Sequence, residues 1–220
     1  MAGTARVACG LGRTGPIPHA ETADLVVLEH DGEVRVHEAS ACDIDPVVGI
    51  DGARRLATVT PRGEGTIVPV DPERALARAT LATASELIGL AKRLLDLAVG
   101  YVGERHQFGK PVGSYQAVKH PLADVQLALA FARPLALRAG WALATGDADA
   151  ARAVSSAKVA ANEAAERAAR ASLQAHGAIA YTVEYDYHLY AKRVWALLAD
   201  RGDATSHRLA VADELGLPAA

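Results

Sequence analysis

The chemistry in this sequence concentrates in one connection, GERHQFGKPVGSYQAVKH, residues 103–120. It places Arg105, Gln107, Phe108 and Gln116 among Gly103, Gly109 and Gly113. An arginine offers a planar fork of N–H donors that suits a phosphate, and a glutamine amide matches the edge of a purine. Glycines let a ligand come close to the backbone. The same residues also describe a polar turn whose arginine is satisfied internally, and spacing alone leaves both readings open.

Other reactive side chains carry less. His176, His188 and His207 lack the compact spacing of a metal site. Cys9 and Cys42 are read as two ordinary thiols. Tyr181, Tyr185, Tyr187 and Tyr190 suit either the wall of an apolar pocket or simple packing along one helix. Lys192 and Arg193 suit either a phosphate or the negative end of a helix.

Helices must position that connection. Asp71-Pro72-Glu73 combines a capping carboxylate, a proline suited to the first helical position and an acid in the first turn. A helix is predicted from there to about Gly103, with Leu87, Leu90, Leu94 and Leu97 marking its buried face. A second is predicted over 114–144, kinked or split by Pro134. A third should run from Asp149 to His176 and stop at Gly177, followed by shorter helices over 184–199 and 203–214. Long helices with short connections and many alanines describe an up-and-down bundle. Before the boundary near Asp71 the chain is richer in Val, Thr, Asp, Gly and Pro. ADLVVLEHDGEVRVHEAS reads as a hairpin turning at His30-Asp31-Gly32, and residues 53–61 as a third strand. Three such strands need something to pack on. The expected organisation is therefore a small, partial β domain over 1–70 and a mostly α bundle over 71–220.

RHQFGKPVGSYQAVKH, preceded by AKRLLDLAVGYVGE and followed by PLADVQLALA, resembles the most characteristic stretch of the acyl-CoA dehydrogenases. LQAHGAIAYTVEYD, residues 173–186, resembles a later segment of the same family, in the same order and at a similar separation. The resemblance implies the family's carboxy-terminal helical bundle, preceded by the closing strands of its middle β domain and without its amino-terminal domain. It implies FAD as cofactor, with Arg105 on the pyrophosphate, Gln107, Phe108 and Gln116 at the adenosine end, and Gln174 and Gly177 closing the site. It implies an acyl-CoA substrate desaturated between its alpha and beta carbons. It also implies a dimer, or a heterotetramer with a full-length family chain, because such a cofactor half is gripped between subunits.

The sequence departs from that pattern in two ways. Ala178 and Ala180 stand where the family has glycines, and their methyls are expected to crowd a phosphate. The positions matching the family's catalytic glutamate hold Ala79 in the first long helix and Arg201 or Gly202 in the loop DRGDA. Glu86, two turns beyond Ala79 on the same helical face, is the remaining candidate base, with a salt-bridged packing role as the alternative. Asp203 is expected to cap the last helix.

Composition removes other classes. With 23 basic and 26 acidic residues and a formal charge of -3, the chain has no electrostatic footprint for nucleic acid or an anionic membrane. Its first residues lack the apolar core of a signal peptide, and no unbroken apolar run reaches membrane-span length, so a cytoplasmic location is expected.

Overall fold

The computed structural model describes residues 3–12 and 15–217. The chain forms two compact units, one ending at Arg78 and the other beginning at Ala79.

The first unit is built from short strands: β1 (Val7–Cys9), β2 (Ile17–Pro18), β3 (Leu25–His30), β4 (Glu33–Glu38), β5 (Cys42–Val47), β6 (Leu56–Pro61) and β7 (Thr66–Val68). They make two sheets, ordered β1-β3-β4-β7 and β2-β6-β5. All pairings are antiparallel except that of β1 with β3. The β3–β4 turn is the expected hairpin: His30 pairs with Glu33, and Asp31 and Gly32 take positive φ of 51° and 77°. The strands find their partner in each other, since Ala8, Ile17, Ala20, Val26 and Ala57 bury together between the sheets. Among the described residues Cys9 and Cys42 form no disulfide.

The helices are α1 (Pro72–Glu104), α2 (Gln116–Thr145), α3 (Ala150–His176), α4 (Tyr187–Leu198) and α5 (Ala204–Glu214). The Asp71 carboxylate accepts the Arg74 N–H at 3.1 Å, which is the cap its sequence promised. Along α1 the residues Ala84, Leu87, Ile88, Ala91, Leu94, Leu95, Ala98 and Val102 are buried at steps of three and four. Ala161, Ala164, Ala165, Ala168 and Ala169 of α3 are buried in the same core, and the helix α3 runs closely along is α2. Ser172 of α3 donates its hydroxyl to the Leu94 carbonyl of α1 at 3.1 Å, a bond that requires the two backbones to lie close together.

Of the two outcomes expected at Pro134, a kink or a split, the split does not occur: α2 runs through it, and Pro121 also lies inside the helix. An interior proline leaves the carbonyl four residues before it without its helical donor. Here those carbonyls belong to Ala117 and Ala130, both exposed residues. The opposite face keeps its contacts through Leu122, Val125, Leu129 and Ala132. Gly146, with φ 69° and ψ 32°, then ends the helix as a left-handed cap. Among the described residues α2 is also the one helix long and apolar enough to cross a membrane by length and composition.

The carboxyl end of α4 is closed by a side chain from another helix. Lys158 of α3 is wholly buried, and its Nζ lies 2.8 Å from Asn162 Oδ1, 3.3 Å from the carbonyls of Leu197 and Leu198, and 3.1 Å from that of Gly202. A helix leaves its last carbonyls without intrahelical donors, and a cation suits that negative end. Burial pushes the Lys158 amine down to about 8, with Asp200 and Asp203 pulling the other way. Lys158→Met keeps the apolar stem but strips these carbonyls of their donor; we expect it to lower unfolding free energy by about 3 kcal/mol in urea denaturation, as for a broken buried charge. A loss within experimental error would show that water replaces the amine.

Candidate functional site

The connection between α1 and α2 folds as a tight hairpin, β8 (His106–Gln107) and β9 (Lys110–Pro111). Gln107 pairs with Lys110, so Phe108 and Gly109 form a two-residue turn with φ of 54° and 81°. Both angles are positive, as in the mirror-image turns that suit hairpins. A phenylalanine is uncommon in that region, and its ring is 91% exposed. The hairpin is fastened at its base. Val112 N–H donates to the Arg105 carbonyl at 2.8 Å, Lys110 stacks over the Tyr115 ring at 4.2 Å, and Gly113 lies where a Cβ would come within 3.0 Å of the Val102 carbonyl.

At the far end of α3, Gly177 takes φ 62° and ψ -136°, turning the chain into a 3-10 segment, residues 177–181. The two segments face each other across a groove of about 610 Å³. Arg105 and Gln107 border it on one side, Gln174, Gly177 and Ala178 on the other, with Tyr101, Val112, Pro121 and Ile179 as apolar walls. That size and mixture suits a small-molecule site. Among the described residues no carboxylate pairs with the Arg105 guanidinium, so the reading of an internally satisfied arginine finds no partner.

Four of the six residues expected at a cofactor thus meet in one groove: Arg105, Gln107, Gln174 and Gly177. Phe108 and Gln116 do not line it; the first projects from the hairpin tip, and the second is exposed at the start of α2. The two alanines also separate. Ala178 lines the groove, whereas Ala180 is buried in the bundle core at 3% exposure, where its methyl crowds nothing in the groove.

His176 escaped the sequence reading as a groove residue, because a lone histidine without metal spacing gave no signal. Its Nδ1–H donates to the Ser172 carbonyl at 2.7 Å, which leaves Nε2 to accept the Tyr185 hydroxyl at 3.0 Å. Its ring centroid lies 4.8 Å from those of Tyr101 and Tyr185. With both nitrogens engaged, His176 shapes the wall as a neutral imidazole. Burial, the largest influence, holds its pKa below the ordinary histidine value. Tyr187 is buried and donates to the Ala169 carbonyl at 2.8 Å, and Tyr190 lies beneath Arg93. The tyrosines resolve into packing rather than a pocket, apart from exposed Tyr181.

The candidate base lies elsewhere. Glu86 accepts the Arg193 Nη1–H at 2.8 Å, linking α1 to α4, and does not border the groove. The loop after α4 is tied down from several directions. Its Gly202 carbonyl meets Lys158, and His207 Nε2–H donates to the Arg201 carbonyl at 2.9 Å. Asp203 caps α5 as expected: the Ser206 N–H and hydroxyl each reach its carboxylate at 2.7 Å and hold its pKa below the usual carboxylate range.

Comparison with known proteins agrees with this geometry. Residues 72–216 match the family described as acyl-CoA dehydrogenase, C-terminal domain. Acyl-CoA dehydrogenase IpdE2 of Mycobacterium tuberculosis is 39% identical over 179 residues, covering 80% of this chain and 52% of that protein. Its Mycolicibacterium smegmatis counterpart is 36% identical over 176 residues, covering 80% and 53%. The chain therefore spans about half the length of these curated relatives. Among solved structures, the glutaryl-CoA dehydrogenase complex with glutaryl-CoA superposes with a TM-score of 0.80 at 22% identity, over 98% of this chain and 62% of that one. A steroid acyl-CoA dehydrogenase variant, Tcur3481-Tcur3483, gives 0.84 at 22% identity, over 96% and 62%. At such identities these structures establish the shared fold.

The buried neutral His176 has a pH signature. Its folded pKa lies below its unfolded value of about 6.5, so the unfolded chain binds the extra proton first and stability falls as pH drops below that value. Urea denaturation between pH 5 and 7.5 should show this slope, and His176→Asn should flatten it, leaving the share due to His207, which burial also depresses. An unchanged slope in the variant would assign the effect wholly to other groups.

Proposed function

The chain belongs to the acyl-CoA dehydrogenase family, and from that premise we propose that it is a subunit of an FAD-dependent acyl-CoA dehydrogenase, supplying the cofactor's adenosine and pyrophosphate site. The observation that carries this reading is the Arg105 guanidinium, without a carboxylate partner, facing Gln174 and Gly177 across one groove. The residues present fit the group. A forked cation suits a pyrophosphate, the amides of Gln107 and Gln174 suit the polar edge of adenine, and Tyr101 and Ile179 offer it apolar cover. A Cβ built at Gly177 would meet nothing within 4 Å, so the backbone there is open to a ligand.

Phe108 and Gln116, exposed beside the groove, would complete the same site from across an interface, burying the ring against a second chain. The cofactor supplies the hydride acceptor for alpha,beta-desaturation of an acyl-CoA thioester. This chain's residues bind and orient its far end. The matched relatives are about twice as long as the aligned stretch, and we propose that the remaining walls of the active site come from a longer family-type chain in a dimer or heterotetramer.

A second reading is a non-catalytic subunit that completes the oligomer while proton abstraction occurs in its partner. The Glu86–Arg193 ion pair favours it, because a base must be free to take a proton and Glu86 is committed to fastening two helices. In this reading Glu86 is a packing carboxylate rather than a catalytic one.

Visible flavin absorbance distinguishes these outcomes. The chain co-expressed with a full-length family member should purify yellow, with about one flavin per shared site, and Arg105→Gln should weaken flavin retention by about 1.5–3 kcal/mol, the range for a charge-assisted hydrogen bond. Colourless protein both from the chain alone and from the co-expressed pair would remove the cofactor role and leave the structural one. Glu86→Gln should leave flavin reduction by acyl-CoA in the complex unchanged if the carboxylate only packs, and abolish it if Glu86 is the base.

A further inference from the structure

Strand β4 carries a buried histidine that the fold itself does not use. Alternate residues of a strand share a face, so His37 follows Arg35 on one side of β4, and it is 5% exposed. Among the described residues no hydrogen-bond partner meets either nitrogen of its ring. Buried polar side chains nearly always have a partner, and an imidazole without one costs free energy. The surroundings nevertheless make room for this ring. Gly65 lies against it with φ 67°, and a Cβ there would come within 2.5 Å of His37 Cε1 and 2.8 Å of both nitrogens. Arg35 differs, because its Nη1–H donates to the Glu64 carbonyl at 2.8 Å and its Nη2–H to the Glu33 carboxylate at 2.7 Å. Its charge is balanced within the fold.

His37 lines a groove of about 630 Å³ bordered also by Leu28, Glu29, Asp31, Pro61 and Glu64. We propose that this groove binds a small organic cation, a primary alkylamine, whose ammonium donates to His37 and to the carboxylates of Glu29 and Glu64 while its alkyl stem lies on Leu28 and Pro61. The hydrogen-bonding capacity left unused here mostly accepts. A neutral imidazole offers an acceptor nitrogen, and a carboxylate only accepts. Glu29 has no partner among the described residues, and Glu64, 3.8 Å from Arg35, is 96% exposed. Asp31 adds its charge at the rim, although it also meets His30 at 3.3 Å. An alkylammonium brings three N–H donors together with a positive charge.

Other ligand classes fit less well. An anion would face three carboxylates, and an alcohol brings one donor and no charge. A metal ion lacks its ligand set, since no group of three His, Cys, Asp or Glu side chains among the described residues could hold one. Exposed carboxylates alone describe a solvated surface; the buried imidazole without a partner among them is what marks a site. Every wall of the groove belongs to the first unit, so the inference does not depend on the flavin reading.

The test is a nuclear magnetic resonance titration of the whole chain with butylammonium chloride at constant pH and ionic strength, following the His37 ring and the amides of Leu28 and Glu64. Saturable shifts with a Kd on the order of 1–10 mM are expected, and none with butyrate or 1-butanol at the same concentrations. Glu64→Gln, at an exposed position that leaves the fold intact, should weaken binding about threefold, as for the loss of one exposed ion pair. His37→Phe should remove the amide response with the melting temperature kept or raised, because a phenyl ring leaves no buried nitrogen unpaired. Absence of a saturable shift would overturn the proposal and leave His37 to water. So would an equal response to butyrate or 1-butanol, binding indifferent to Glu64→Gln, or binding that survives His37→Phe.

Discussion

The close approach of α3 to α2 is the constraint on which the helical unit depends. Ala161, Ala164, Ala165, Ala168 and Ala169 are buried along α3, and none keeps the helices apart. Each methyl removes little apolar area from water, at roughly 25 cal/mol per Å², so cohesion comes from many small contacts at high density. Such a seam leaves no room for larger side chains. The Ser172–Leu94 bond adds a point of attachment to α1, and one turn later the same helix delivers Gln174 and Gly177 to the groove. The distance between Arg105 and the far wall is thus set by alanines that never touch a ligand.

The groove's polar wall is a continuation of that packing. His176 spends one nitrogen on the Ser172 carbonyl and the other on Tyr185, so the end of α3 is fixed in orientation as well as in depth. On the opposite side, the hairpin between α1 and α2 keeps a phenylalanine at positive φ and exposes its ring. An exposed aromatic on a left-handed turn costs free energy in the isolated chain. Burial against another surface would offset that cost.

Much of this was legible in the residues. Asp71-Pro72, Gly146 and Gly177 mark helix ends by chemistry that acts within one turn, and the structure uses all three. Arg105, Gln107, Gln174 and Gly177 were nominated by resemblance and meet in one groove. What escaped depends on tertiary context. Strand β5, with two aspartates and a proline in Cys42–Val47, has a poor strand composition and exists because β6 pairs with it. Pro134 looked like a break because the cost of a proline is local, while the contacts that carry α2 through it come from another helix. Phe108 and Gln116 stand apart from the groove because a motif gives order along the chain and not which side of a turn each residue faces. Lys158 gave no signal at all, since its partners are carbonyls about 40 positions away.

The loop after α4 shows how shape and chemistry can part. By the resemblance this loop is expected to match the segment that holds the family's catalytic carboxylate, and Arg201 and Gly202 in it take positive φ of 58° and 93°. Lys158 holds its Gly202 carbonyl, His207 its Arg201 carbonyl, and Asp203 anchors the start of α5. The imidazole of His207 also packs against Gly202, where a Cβ would come within 2.9 Å of its Nε2. A side chain at 202 would therefore have to displace the histidine that fixes the loop. Restoring a carboxylate at that position is thus not a one-residue change. The tethering that keeps this loop in shape is the same tethering that leaves no room for a side chain at Gly202.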